Sequence, residues 1–386
     1  MKRPRFIPLL LLFLALTFLV PARLTAASAA APKSAVLIDG NTGRSFLPVT
    51  ALKGDSEASL LWNESEKSFV ITNTWNSVKV FVGQTSAVVN DAAVTLTDAP
   101  FRQNGTTYVP LQFLSQNLGY SLEWEKNPTV LTLSRGDFKY TLPAVNRNNL
   151  SGTTSPVVSA HKTFKVGNKY FPVKMITVSL AHPKIHLDVV MAGNKKGRVE
   201  SLGSIAKRSK AIVAINGSYF DAYTKNSYKT PYGYIVSGGK LQMEASGDRR
   251  TVFTYNPNML AGMIPGTKFN ELFAEGELEG ALQAGPRLVT DGKIALNIKG
   301  EGFRDPKILT GGGSRSAIGL TRDNKLILLT TSKATIPQLA QIMKQAGAYQ
   351  AMNLDGGASS GLYYNGKYLT KPGRLISNAL VVKYQY

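Results

Sequence analysis

The stretch TIPQLAQIMKQAGAYQAMNLDGGASSG, residues 335–361, divides into three pieces that settle the kind of fold. Thr335 and Gln338 stand at capping-box spacing, Leu339, Ile342, Met343 and Ala346 fall on one helical face, and Gly347 supplies a stop. A helix is predicted there. Tyr349 to Met352 follow at once as a short apolar strand, and the polar loop with Asn353, Asp355, two glycines and two serines opens at its C-terminal end, where loops commonly carry function. Working upstream, KAIVAIN (210–216) reads as a buried strand after an amphipathic helix near Val199 to Arg208. SAIGLTRDNKLILLTT (316–331) reads as a hairpin turning at Arg322, Asp323 and Asn324. Helices interspersed with hairpins argue for an α+β class with a mixed sheet over residues 161–386, some 225 residues with a core of their own.

The N-terminus reads differently. Lys2, Arg3 and Arg5 precede an apolar run from Phe6 to Val20, and Ala27-Ser28-Ala29 offers a small-x-small cleavage site. Residues 1–30 are therefore expected to be a secretory signal peptide, because fifteen apolar residues fall short of the roughly 20 that span a bilayer. No later segment is apolar and long enough to span, so a secreted or wall-associated chain without a transmembrane helix is expected. The formal charge is +21, and removing a segment with four basic residues leaves about +17, which favours polyanionic partners such as envelope polysaccharide. No basic run is interleaved with aromatics, so nucleic acid is not an expected partner. The chain has no cysteine, which excludes thiol catalysis, disulfides and thiolate metal sites. His182 and His186 stand four apart, but Pro183 and the β-branched run after them read as a turn entering a strand, not as a zinc pair on a helix.

Between these regions lies an internal repeat. FLPVTAL (46–52) returns as YVPLQFL (108–114), and Trp62 returns as Trp124, with fourteen residues from proline to tryptophan in both copies. Each copy reads strand, proline, short helix, Trp strand and β-branched strand. The second copy, TTYVPLQFLSQNLGYSLEWEKNPTVLTLS, resembles the copper-amine-oxidase N-terminal-like, or stalk, domain, and the resemblance covers about 35–142. The repeat makes this a tandem small α+β module, for which the resemblance implies wall attachment, spacing or inert scaffolding, and no copper. The Ser, Thr, Asn and Pro of 143–160 read as a linker.

Three glycine-polar clusters carry the candidate chemistry of the larger region. AINGSYFDAY ends a strand at Asn216-Gly217 and presents Ser218, Tyr219 and Asp221; GGGSRSAIG leads into Arg315; NLDGGASSG holds Asn353, Asp355, Gly356, Gly357, Ser359 and Ser360. Glycines expose backbone N–H groups, and an arginine grips two phosphate oxygens at once, so these loops suit an anion. Taken one at a time, each reads more readily as a tight turn. Nucleotide-binding glycine motifs and a nucleophile elbow are absent, and no histidine accompanies Ser359 or Ser360 in a motif.

In order, AIVAINGSYFD, GYIVSGGKL, LQAGPRLVTDGK, SRSAIGL, NLDGGASSGLYYNGK and RLISNALVV closely resemble the phosphodiester glycosidase family, the relatives of the lysosomal uncovering enzyme, over nearly all of 165–386. Ser218 and Ala358 stand where relatives commonly carry glycine. The resemblance implies hydrolysis of the C1–O bond of a sugar-1-phosphodiester. In that reading Asp355 is the key carboxylate at C1 and Asp221 a second acid or a sugar ligand. Arg315 binds phosphate with the backbone of Gly356 and Gly357 and the hydroxyls of Ser359 and Ser360. Asn216, Asn353 and Asn378 orient sugar hydroxyls or carboxylates, and Gly217, Tyr219 and Gly285 line the substrate. No cofactor is required, and a divalent ion such as calcium would suit these oxygens better than zinc. A different reading has Asp355 capping a turn in a buried ion pair with Arg315. The rival functions are a non-catalytic binder of wall or sugar phosphate and a phosphodiesterase that cleaves P–O.

Overall fold

The structure, a computed structural model, describes residues 34–103, 105–126, 129–149 and 155–384. The expected signal peptide lies outside the described residues. No helix among those described is long and apolar enough to cross a membrane.

The repeat is visible as a local two-fold arrangement. The first proline strand, Ser45–Pro48, pairs antiparallel with the second, Thr106–Pro110, through Phe46 with Pro110, Leu47 with Val109 and Pro48 with Tyr108. Equivalent residues thus exchange partners about Leu47 and Val109, both fully buried. The helices after the prolines differ. Leu111–Leu118 is α-helical, with leucine and glutamine at five of its eight positions and Gly119 closing it at φ 73°, while Val49–Gly54, with β-branched Val49 and Thr50 at its start, is a 3-10 turn. The Trp62 and Trp124 strands, Ser59–Asn63 and Ser121–Glu125, then lead the hairpins of two different sheets. One buried ion pair, Arg135 with Asp55 at 2.7 Å, also takes the Tyr120 hydroxyl on Asp55 and ties the copies together.

The residues expected as a linker enter as the end of strand Phe138–Asn146 and leave as the start of strand Val157–Val166, with 150–154 outside the described residues. A buried asparagine, Asn258, joins the module to the larger region: its Oδ1 accepts from Ser34 N at 3.0 Å and its Nδ2 donates to the Tyr140 hydroxyl at 3.0 Å.

The larger region is built from three sheets. The first runs through seven strands and includes Gly313–Leu320 flanked by Lys325–Ala334 and Gln350–Asn353. A second has Ala211–Asn216 between Asn378–Tyr384 and Leu362–Tyr364, and the third holds Thr251–Tyr255 and Gly280–Gln283. Inward side chains of all three, among them Ile215, Phe253, Leu282, Ile318, Met352 and Leu380, share one core. Helix Ile336–Gln345 forms where predicted, with the Thr335 capping box complete, and buries Leu339, Ile342 and Met343 on the other face of the seven-stranded sheet. This packing brings the ends of strands from different sheets to one place. The class is α+β, a stalk-like module followed by a larger domain, as expected.

Candidate active site

Asn216 and Asn353 are the last residues of their strands, and Asn378 is the first of its own. All three are buried and spend their amides on backbone and hydroxyl groups. Asn216 Nδ2 donates to the Asp355 carbonyl at 2.7 Å, while its Oδ1 accepts from Ser316 Oγ at 2.7 Å and Gly361 N at 2.9 Å. Asn378 Oδ1 accepts from Ser218 N at 2.9 Å and its Nδ2 donates to Ser218 Oγ at 2.8 Å. Ser218 thus has a use, since its hydroxyl accepts a bond for which a glycine would have no atom. Asn353 Nδ2 donates to the Tyr219 hydroxyl at 2.7 Å and to the Gly285 carbonyl at 3.1 Å; Tyr219 in turn donates to Gly285 O at 2.8 Å. The clusters expected from sequence therefore meet, held by three buried amides.

Asp355 stands at the centre of this meeting. Its backbone N donates to Gly217 O at 3.1 Å, which ties the first cluster to the third. Its half-buried carboxylate accepts from Gly356 N at 2.9 Å and from the Ser359 hydroxyl. Burial pushes its pKa up to about 6, with Ser359, Gly356 and the charge of Arg374 pulling the other way. A carboxyl poised there exchanges a proton near neutral pH, as a general acid or base must. Burial likewise drives Tyr219 far above its usual range, with the Asp355 charge adding to the effect, so this hydroxyl stays protonated. Two buried atoms of the site, Asn353 Oδ1 and Ser360 Oγ, have no protein partner, which leaves polar valence to be met by a ligand or water.

Arg315 is held differently from the expectation of an open phosphate grip. It is 3% exposed, its Nε donates to Ala334 O at 3.0 Å, and its Nη2 donates to Lys307 O and Gly311 O, each at 2.7 Å. Its other face approaches Gly356, where an added Cβ would lie 3.5 Å from Nη1. Among the described residues it forms no ion pair, with Asp355 or any other acid. Burial lowers its pKa, yet a guanidinium keeps its proton. Asp221 folds its own loop: its carboxylate accepts from Thr224 N at 3.1 Å and its backbone N donates to Thr230 O at 2.8 Å. No hydrogen bond joins it to Asp355 among the described residues. Gly357, at φ 62°, needs the freedom of glycine, and a Cβ at Gly285, itself at φ 89°, would come within 2.8 Å of Glu301 Oε2.

Residues outside the sequence reading complete the site. Glu301 accepts from Thr251 N, Thr251 Oγ1 and Arg287 N at 2.6–2.9 Å and so fixes the loop that carries Gly285. Ser316 lies within the SRSAIGL motif and Arg374 immediately before LISNAL, so both were within sight, but only a partner in space gives either a role. Tyr223, Tyr228 and Tyr232 are exposed on one loop, and their density in YFDAYTKNSYKTPYGY was the available signal. His182 accepts from Lys184 N and stacks on Tyr384, beside the start of strand Ile185–Met191, in agreement with a turn entering a strand. No group of three or more His, Asp or Glu side chains gathers among the described residues, so a calcium ion here would rest on Asp355 and neutral oxygens.

Residues 209–383 match the family model described as phosphodiester glycosidase, and residues 26–133 match that described as copper amine oxidase N-terminal domain. The two matches fall in the order expected, the phosphodiester glycosidase model behind that of the stalk-like domain. In structure, the chain is similar to a hypothetical protein from Synechocystis at 16% identity and TM-score 0.53, covering 91% of this chain and 96% of that one. It is also similar to the zebrafish N-acetylglucosamine-1-phosphodiester alpha-N-acetylglucosaminidase catalytic domain auto-inhibited by its pro-peptide, at 20% identity and TM-score 0.51, covering 61% and 86%. At these identities the likeness speaks to the fold of the glycosidase domain. No curated protein matches the chain significantly.

Proposed function

We propose that the glycosidase domain hydrolyses the glycosidic C1–O bond of a sugar-1-phosphodiester in an envelope or extracellular glycan, the protein being exported by its N-terminal segment. The observation that carries the proposal is Asp355: a carboxyl poised near neutrality, fixed by Asn216 and Gly217, in the domain whose family is defined by this chemistry. Asp355 takes the proton of an incoming water as its oxygen bonds to C1. The C1–O bond breaks with its electrons going to the phosphate monoester, a leaving group that needs charge stabilisation more than protonation. This explains how one poised carboxylate serves where glycosidases usually bring two. Asn353 Oδ1 and Ser360 Oγ accept and donate to the sugar or phosphate, Tyr219 and Gly285 hold Asn353, and Arg315 adds positive charge from beneath Gly356. Asp221 shapes the loop over the sugar. In this reading the stalk-like domain, with the net positive charge of the chain, keeps the enzyme near an anionic polymer.

Hydrolysis of a sugar-1-phosphodiester in oxygen-18 water tests the reading. Label is expected in the sugar hydroxyl at C1; label in the phosphate would mean P–O cleavage, and binding without release of sugar would mean a non-catalytic receptor.

A further inference from the structure

Arg315 spends two of its three carbonyl contacts on the segment that carries Lys307 and Gly311. The side chain of Lys307 itself is exposed, and its Nζ lies 5.8 Å from the centroid of the Tyr223 ring. On the same ring, the Arg374 guanidinium sits 4.8 Å from the centroid and its Nη2 donates to the Tyr223 hydroxyl at 2.9 Å. Two cations, one from the short helix Pro306–Leu309 and one from the loop before Asn378, are thus gathered on one exposed tyrosine. Neither forms an ion pair among the described residues, although Asp305 accepts from the backbone N of Lys307, and Arg374 is close enough to Asp355 for its charge to favour the carboxylate. The loop before Arg374 is also fastened to the Asp355 loop, Gly373 N donating to Ala358 O at 2.7 Å.

Like charges gathered on one ring with no carboxylate bonded to either side chain repel each other, and an anion placed between them relieves that repulsion. A phosphate matches this pair: the arginine fork offers two parallel donors, the lysine a mobile point charge. Resting on the proposed reaction at Asp355, we propose that Arg374 and Lys307, braced on Tyr223, form the clamp that takes the phosphate of the substrate. Arg315 is then a positioning residue that holds the Lys307 segment in place. The clamp selects phosphodiesters by binding their charge beside C1, and tolerates variation in the group beyond the phosphate, which it does not touch.

Calorimetric titration of the full chain with inorganic phosphate tests this without requiring turnover. Arg374→Gln and Lys307→Gln should each weaken phosphate binding about ten-fold or more, the cost of a lost charge-assisted hydrogen bond. Arg322→Gln removes the same charge from a distant exposed arginine, which stacks on Tyr349, and should leave binding unchanged. With a sugar-1-phosphodiester, Arg374→Gln should raise KM more than it lowers kcat, and Arg374→Lys should recover part of the loss. Equal weakening by all three glutamine variants would show that phosphate is held only by the net charge of the surface, and would overturn the clamp, as would wild-type binding in both clamp variants. If the clamp variants lose phosphate as expected while no sugar is ever released, the clamp stands and the proposed reaction fails. If sugar is released and the clamp variants behave as wild type, the reaction stands and the clamp fails.

Discussion

Asp355 links burial to both chemistry and stability. Its carboxyl is moved from 3.8 to about 6 by desolvation, so ionising it in the folded protein costs free energy that the unfolded chain does not meet. The cost is absent below pH about 4, grows as pH rises through this interval, and is complete above about 6, where it amounts to about 3 kcal/mol. Asp355→Asn is therefore expected to abolish sugar release and yet raise the unfolding temperature at pH 7, with the gain fading at pH 4. Paired activity assays and thermal melts at the two pH values check this. On the proposed reaction, the carboxylate that takes the proton of water is held at a cost in stability.

At the scale of elements, strand ends decide the site. Gly217 follows the Asn216 strand, and a Cβ there would run into Asn378 Oδ1, the atom that accepts from Ser218 N. Gly217→Ala should push Asn378 away and loosen the bond from Asp355 N to Gly217 O, lowering kcat/KM strongly at a stability cost of about 1–3 kcal/mol. Denaturant unfolding beside the sugar-release assay measures both effects. Helix Ile336–Gln345 and the Asn353 strand were legible because capping, amphipathic spacing and a glycine stop are local signals. The 3-10 turn at Val49–Gly54 shows the limit: the repeat predicts a helix in both copies, but β-branched residues at its start shorten it in the first.

For the whole molecule, the link between stalk-like and glycosidase domains rests in part on Asn258, buried and bonded to Ser34 and Tyr140 from the other side. Asn258→Ala leaves those groups without a partner and should cost about 1–3 kcal/mol, read from denaturant unfolding of the full chain.

Much of this was determined by sequence alone, because repeats, caps, strand patterns and glycine-polar clusters are written in neighbouring residues. The duplicated module, the α+β class and the likeness of the two regions to their families were all legible there. Which side chains share a space was not, since that depends on how three sheets pack. Only the tertiary structure buried Arg315 among carbonyls, turned Asp221 toward its own loop, and set Lys307 and Arg374 on one tyrosine beside Asp355. The physical reason is that a charge's role is fixed by its partners and its exposure to water, and both are properties of the packed chain, not of the residues next to it in sequence.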